Sequence, residues 1–275
     1  MTEMDLRTLT GSTVVDLAHS LFRGMPVSPN QPPFQLAMVK RHGDDVKPDG
    51  QSSASEIYTL SGHVGTHIDG ICHVSQDGLM HGGVEPVVAS TGQGYTELGM
   101  ETVKPFFCRG VLLDVARVHG VEYLPPAYEI TAADLFAAEE ASGTTVQAGD
   151  VALLHSGWNA LWDNPAAFGG HEHGTPGPGM EAADWLAQRG VRAVGAETIG
   201  FEVITPDVGL SSLPIHRRLL VEAGIYLFEV MNLGPLAALG VGEFLFVACP
   251  LKLVGATGSP VRPIAVVFDL SLIHI

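Results

Sequence analysis

Positive charge is scarce in this chain. Its 275 residues carry 14 Lys and Arg against 30 Asp and Glu, a formal net charge of −16. Such a surface repels phosphate backbones and anionic headgroups, so neither nucleic acid nor a membrane is an expected partner. Cysteine is sparse too. Cys72, Cys108 and Cys249 form an odd, scattered set without a Cys-x-x-Cys pair. That argues against a disulfide framework and against a thiolate zinc site. No apolar run is long enough to span a bilayer. The opening MTEMDLRTLTGSTVVDLAHS has early acids and no continuous apolar core, so no signal peptide is expected and a cytoplasmic setting is. Also missing are a Gly-x-Ser-x-Gly elbow, which His155-Ser156-Gly157-Trp158 does not supply, and a glycine-rich phosphate loop.

What the chain does hold is apolar material. Hydrophobic residues make up 46% and charged residues only 16%, enough for a sizeable core in one domain over residues 1–275. Positive mean hydropathy with so few charges points to apolar surface buried between subunits, hence a homodimer or larger homo-oligomer. The segment 24–34, GMPVSPNQPPF, holds four prolines and reads as an extended loop. Strands are expected over 55–63, 110–115, 151–155, 191–196, 225–230 and near Phe244. Thr131 and Asp134 form a capping box for a helix to Ala141. Further helices are expected over 180–189 and from Pro214 to Val221, each followed by a glycine stop. Strands alternate with helices in the second half, which predicts an α/β fold with a mixed sheet.

The densest signal is SGHVGTHIDGICHVSQDG at 61–78, which sets His63, His67, Asp69 and His73 among glycines. His67 and Asp69 are two apart, so in an extended chain they share a face. Their Cβ atoms then lie about 6–7 Å apart, a gap that one ion with bonds near 2 Å bridges. In a straight strand His63 would be about 13 Å from His67. Gly62 and Gly65 give the backbone freedom to bring it back, and the Thr66 hydroxyl is placed to fix the turn. His73 falls near the ion without needing to bind it. Two histidines and a carboxylate suit Zn²⁺, Mn²⁺ or Fe²⁺ and leave coordination positions open, the mark of a catalytic site. Lone surface histidines would be unremarkable in an acidic protein, but four such groups interleaved with Gly-Thr-Gly are not. Cys72 reads as a small packing residue.

The pattern His63-x-x-x-His67-x-Asp69-x-x-x-His73 resembles the signature of the cyclase family of metal hydrolases, which includes isatin hydrolase and bacterial kynurenine formamidase. Weaker matches flank it. Residues 16–21 and the proline-rich loop resemble the family's opening, and Pro176-Gly-Pro-Gly179 with the following helix and VRAVGAET its central unit. Leu213-Pro214-Ile215-His216 and a strand ending in Glu229 resemble its second metal-side segment. Residues 258–262 resemble its terminal motif. The resemblance implies a mixed, partly closed, barrel-like sheet with flanking helices. It implies Mn²⁺ or Zn²⁺ on His63, His67 and Asp69, proton transfer by His73, and a second metal or substrate-side role for His216 and Glu229. The His216 to Glu229 spacing is one residue longer than the family pattern. Gly70-Ile71 stands where members often carry Ala-Pro, and Ser28 where the formamidases carry a substrate-facing Trp. With the chain's length, these departures favour the longer, isatin hydrolase-like branch.

The expected activity is therefore opening or cleavage of the C–N bond of a small cyclic amide or imide by metal-activated water. The alternatives are an arylformamidase acting on N-formylkynurenine and a non-hydrolytic metal-dependent isomerase or cyclase. Met25, Phe34, Trp158, Trp162 and Phe201 are aromatic or apolar candidates for substrate contacts, each more often found in a core. Residues 270–275, LSLIHI, run past the family's usual end and read as a non-native tail, with no role for His274.

Overall fold

Short apolar runs, separated by glycines and prolines, assemble into one curled sheet in a computed structural model that describes residues 11–268. The suspected tail at 270–275 lies outside the described residues. Fifteen strands form: β1 (Thr13–Asp16), β2 (Gln35–Lys40), β3 (Ser55–Thr59), β4 (His67–Asp69), β5 (Ser90–Thr91), β6 (Gly94–Tyr95), β7 (Phe106–Asp114), β8 (Glu129–Ile130), β9 (Val151–His155), β10 (Gly177–Pro178), β11 (Ala193–Ala196), β12 (Tyr226–Glu229), β13 (Glu243–Ala248), β14 (Gly258–Pro260) and β15 (Ile264–Val267). Nine of them make the main sheet, in the order β1-β15-β13-β7-β9-β11-β12-β4-β14. The run β7-β9-β11-β12 is parallel and the flanking pairs are antiparallel. This is the expected mixed half-barrel sheet with flanking helices.

The parallel strands are apolar because both faces are covered. On the outer face, Leu113, Leu154, Val194 and Leu227 pack beneath helices Ala132–Ser142 and Met180–Gln188 and the helical segment from Pro214 to Ala223. On the inner face, Ile68, Phe106, Leu153, Phe228 and Phe246 fill the curl of the sheet. The first of those helices starts with the expected capping box: the Thr131 side chain accepts from the Asp134 N–H while the Asp134 carboxylate accepts from the Thr131 N–H. Gly143 ends it in the left-handed region.

Three elements depart from expectation. The strand predicted over 55–63 stops at Thr59, where the chain begins the turns that carry His63. The strand predicted over 110–115 runs longer, Phe106–Asp114, and Val115 already belongs to a short helix capped by the Asp114 carboxylate. The helix from Pro214 makes one α turn and then widens into a π-helix over Arg217–Ala223, a form that favours functional sites. Among the described residues strands β2 and β3 pair only with each other, and Met38, Val39, Ile57 and Tyr58 are exposed. Among the described residues no helix is long and apolar enough to cross a membrane.

Candidate metal centre

Register builds the site. In β4, period 2 puts His67 and Asp69 on one face of the sheet and Ile68 on the other. Ile68 and its cross-strand partner Phe228 enter the inner core, so His67 and Asp69 face the helices. On the neighbouring strand Glu229 lies directly opposite His67, which brings its carboxylate to the same face. His216 comes down from the helical segment that covers this face. The polar atoms converge. His67 Nε2 lies 3.4 Å from Asp69 Oδ1 and 3.3 Å from Glu229 Oε2. His216 Nε2 lies 3.5 Å from Asp69 Oδ2 and 3.2 Å from Glu229 Oε1. His63 Nδ1 lies 2.6 Å from Asp69 Oδ1.

Glycine makes this possible at two positions. Gly65 sits at φ 66°, the left-handed region that side chains rarely adopt. A Cβ on Gly62 would stand 2.8 Å from the Gly258 carbonyl oxygen, so only glycine lets this turn pack against β14. Thr66 acts differently from expectation. Its hydroxyl donates to the Val230 carbonyl at 2.6 Å and accepts from the His19 N–H at 3.0 Å, tying the turn to β12 and to the segment after β1.

The electrostatics are those of a site built for a cation. His67, Asp69, His216 and Glu229 are buried. His67 Nε2, Asp69 Oδ2 and Glu229 Oε1 lack hydrogen-bond partners, and burying such groups without partners is costly. Burial pulls the His67 imidazole down, yet the Asp69 and Glu229 carboxylates override it and push its pKa up to about 10. His216 is likewise held well above its ordinary value against burial, by Asp69, Glu202 and Glu229. Asp69 stays well below the usual carboxylate range despite burial, because His73, His216, His63 and His67 surround it. The other ring nitrogen of each inner histidine is already used. His67 Nδ1 donates to the Gly65 carbonyl at 2.8 Å, and His216 Nδ1 donates to Glu202 Oε2 at 2.6 Å. Both Nε2 atoms are thereby aimed into the cluster, the arrangement that orients imidazole ligands.

Two overlapping sets could hold an ion: His63, His67 and Asp69, and Asp69, His216 and Glu229, with all donor atoms of a set within 4.8 Å of one another. Asp69 is common to both. The orphaned buried atoms and the hard-to-borderline donors fit a divalent cation. His73 stands at the rim. Its ring stacks on His63 with centroids 4.0 Å apart, and its Nε2 is 4.0 Å from Asp69 Oδ2. Burial pushes the His73 pKa down to about 4.

A consequence is measurable. Ligand imidazoles are neutral, whereas the facing carboxylates favour the protonated form of His67 and His216. Saturation with Zn²⁺ or Mn²⁺ at neutral pH should therefore release protons. Calorimetry in buffers of different ionisation enthalpy reads the number released, and a value near zero would show that the carboxylates do not hold the two imidazoles protonated before the ion binds.

The sequence reading brought together His63, His67, Asp69, His73, His216 and Glu229, and the structure places all six around one cluster. Cys72 is buried packing, with its thiol 3.6 Å from the Ala256 carbonyl. Met25, Phe34, Trp158, Trp162 and Phe201 are core side chains. Sequence reasoning missed Glu202. This buried carboxylate accepts the backbone N–H groups of Ile215 and His216 at 3.0 Å each, as well as His216 Nδ1. The available signal was an acid inside the apolar run VGAETIGFEVI, where a carboxylate is buried only if it is partnered. Glu202→Gln should therefore weaken ion binding by about 10–100-fold, the range typical of partners that orient a ligand. Titration calorimetry checks it, with unchanged affinity as the opposing result.

Together the half-barrel sheet and its buried His–carboxylate cluster define an α/β protein with a group that could hold a cation between sheet and helices. The chain belongs to the cyclase family: residues 15–203 match the family described as "Putative cyclase". Isatin hydrolase of Roseibium aggregatum is 26% identical over 243 residues, covering 86% of this chain and 82% of that protein. Kynurenine formamidase of Bordetella petrii is 23% identical over 252 residues, covering 90% and 95%. A crystal structure titled as a novel cyclase superposes with a TM-score of 0.85 at 28% identity, covering 94% of this chain and 90% of that one.

Proposed function

We propose that this chain is a metal-dependent hydrolase that opens the C–N bond of a small cyclic amide or imide of the isatin kind. The observation that carries the metal part is the set of unpartnered, buried, mutually facing atoms on His67, Asp69 and Glu229. His63, His67 and Asp69 would hold the first ion, and Asp69, His216 and Glu229 a second. When bound, a divalent ion, Mn²⁺ or Zn²⁺, supplies Lewis acidity that polarises a carbonyl oxygen and acidifies water.

The chain's own residues do the rest. His73 stands at the rim of the cluster and burial favours its neutral form, so Nε2 is placed to accept a proton from the attacking water and return it to the leaving nitrogen. Its stacking on His63 fixes the ring plane. Ser28, Asn30 and Gln31 of the proline-rich loop line the cavity beside His63 and His73 and are placed to orient the substrate. Gln31 is itself held, accepting from the Ser61 hydroxyl at 2.5 Å. Ser28 lines this cavity where an aromatic wall would favour an aromatic acyl substrate. Gly70 lies elsewhere, with its N–H on the Thr257 carbonyl at 2.8 Å, so the substrate argument rests on Ser28.

The test compares kcat/KM for isatin and N-formylkynurenine under one Mn²⁺ loading, since that ratio reports differential transition-state binding. Isatin is expected to be preferred. Preference for N-formylkynurenine would leave a metal hydrolase with a different substrate. Product lacking oxygen from heavy-oxygen water would point instead to an isomerase or cyclase. We also propose a homodimer or larger homo-oligomer, supported by the exposed apolar hairpin β2–β3. Light scattering giving the mass of one chain, 29.0 kDa, would reject it.

A further inference from the structure

The metal-side cavity is small. It encloses about 190 Å³ beside His63, His73, His216 and Glu229. Small-molecule sites usually measure about 300–1,000 Å³. A second chamber of about 410 Å³ adjoins it, and Asn30, Ile199, Gly200 and Leu210 line both. Much of the outer wall is apolar: Pro29, Ile199, Ile204, Pro206, Val208 and Leu210. Among the described residues neither chamber has a lysine or arginine in its lining, and the whole molecule carries a net charge of −16. A carboxylate in the outer chamber would find no lysine or arginine among the described lining residues and would meet the negative field of the protein.

We infer that the substrate is uncharged and longer than a bare bicyclic ring, with its reacting amide in the inner cavity and an apolar substituent in the outer chamber. This inference rests on the hydrolase reading of the metal centre and refines its substrate class. An amino-acid side arm, which carries both charges, fits this lining poorly. Gly200 lines both chambers. A Cβ there would stand 3.3 Å from Leu210 Cδ2 and 3.5 Å from Ile204 Cδ1, so a side chain at this position would take up space that both chambers share. Val208 lines the outer chamber and is 43% exposed, so a larger side chain there can narrow the chamber without displacing the core.

The experiment uses the full, Mn²⁺-loaded protein and four compounds: isatin, its N-benzyl and 5-benzyl derivatives, and N-carboxymethylisatin. At least one benzyl derivative should exceed isatin in kcat/KM by about tenfold or more, the scale of apolar pocket contacts, and the acid should fall below isatin. Val208→Trp, and independently Ser211→Trp, should bring the benzyl-to-parent ratio back to about one. Equal values for benzyl and parent compounds in the unaltered protein would overturn the inference while leaving the hydrolase standing. So would a ratio that survives both substitutions. If no compound is turned over, the hydrolase reading fails for this class, and calorimetric affinities of the same compounds read the chamber alone. Tighter binding of a benzyl derivative, lost in Val208→Trp, then supports the chamber, whereas equal or undetectable binding overturns it.

Discussion

Asp69→Asn should abolish ion binding and activity together, and it should also destabilise the metal-free protein. Asp69 is shared by both candidate ligand sets, so no ion at either keeps its full complement. His67→Ala should behave alike for the first ion. The loss is expected to exceed the about 10–100-fold that changes outside the ligand set produce. The stability effect has a separate origin. Asp69 is buried among four histidines, and removing one partner of a buried charge cluster costs about 3–5 kcal/mol. Imidazoles that shed their protons relieve part of this, so a value near 3 kcal/mol is expected, against about 5–15 kcal/mol for a whole domain.

The sign of the pH dependence follows from the same groups. In the folded, metal-free protein Asp69 titrates below its unfolded value, so its contribution is present above pH 3.8 and is lost as pH falls through the depressed folded value. His67 titrates above its unfolded value, so its contribution is full below pH 6.5 and is lost as pH rises toward about 10. Urea denaturation of both proteins across this range checks the magnitude and the direction. An Asp69→Asn protein that binds Mn²⁺ normally would remove the basis for the metal centre.

His73→Ala should keep the ion and lose catalysis. The ring lies at the rim, 4.0 Å from Asp69 Oδ2, and belongs to neither ligand set. Loss of a general acid–base group typically lowers kcat by about 10²–10⁴-fold. Removing the ring also takes away the stacking partner of His63, a lesser effect that would show in ion affinity. The decisive comparison is elemental analysis beside kcat for His73→Ala and His67→Ala. Were His73→Ala to release the ion as readily as His67→Ala, His73 would be a ligand and the assigned proton transfer would be wrong.

Local pattern carried the parts of this protein that depend on neighbours in the chain. The two-residue spacing of His67 and Asp69 put them on one face because strand side chains alternate, and β4 obeys it. The Thr131–Asp134 capping box and the Gly143 and Gly224 stops are backbone-level signals, and each formed as read. The proline-rich loop stayed non-helical for the same local reason. His216 and Glu229 were visible through resemblance, since nothing within a few residues of either points to a cation. What joined them to His67 was pairing: Glu229 faces His67 because β12 lies antiparallel to β4, and that register is fixed by packing Phe228 and Ile68 into the same core. Glu202 reached His216 only when the chain after β11 folded under the helical segment, a contact over 14 residues that no periodicity encodes. The two adjoining chambers, likewise, exist only where the proline-rich loop and the 199–211 segment meet in space. Sequence thus determined the face on which the first ligands stand, because dihedral geometry repeats along the chain. Tertiary structure decided which remote groups join the cluster and how the two cavities beside it are walled, because burial, strand register and close packing act between segments far apart in sequence.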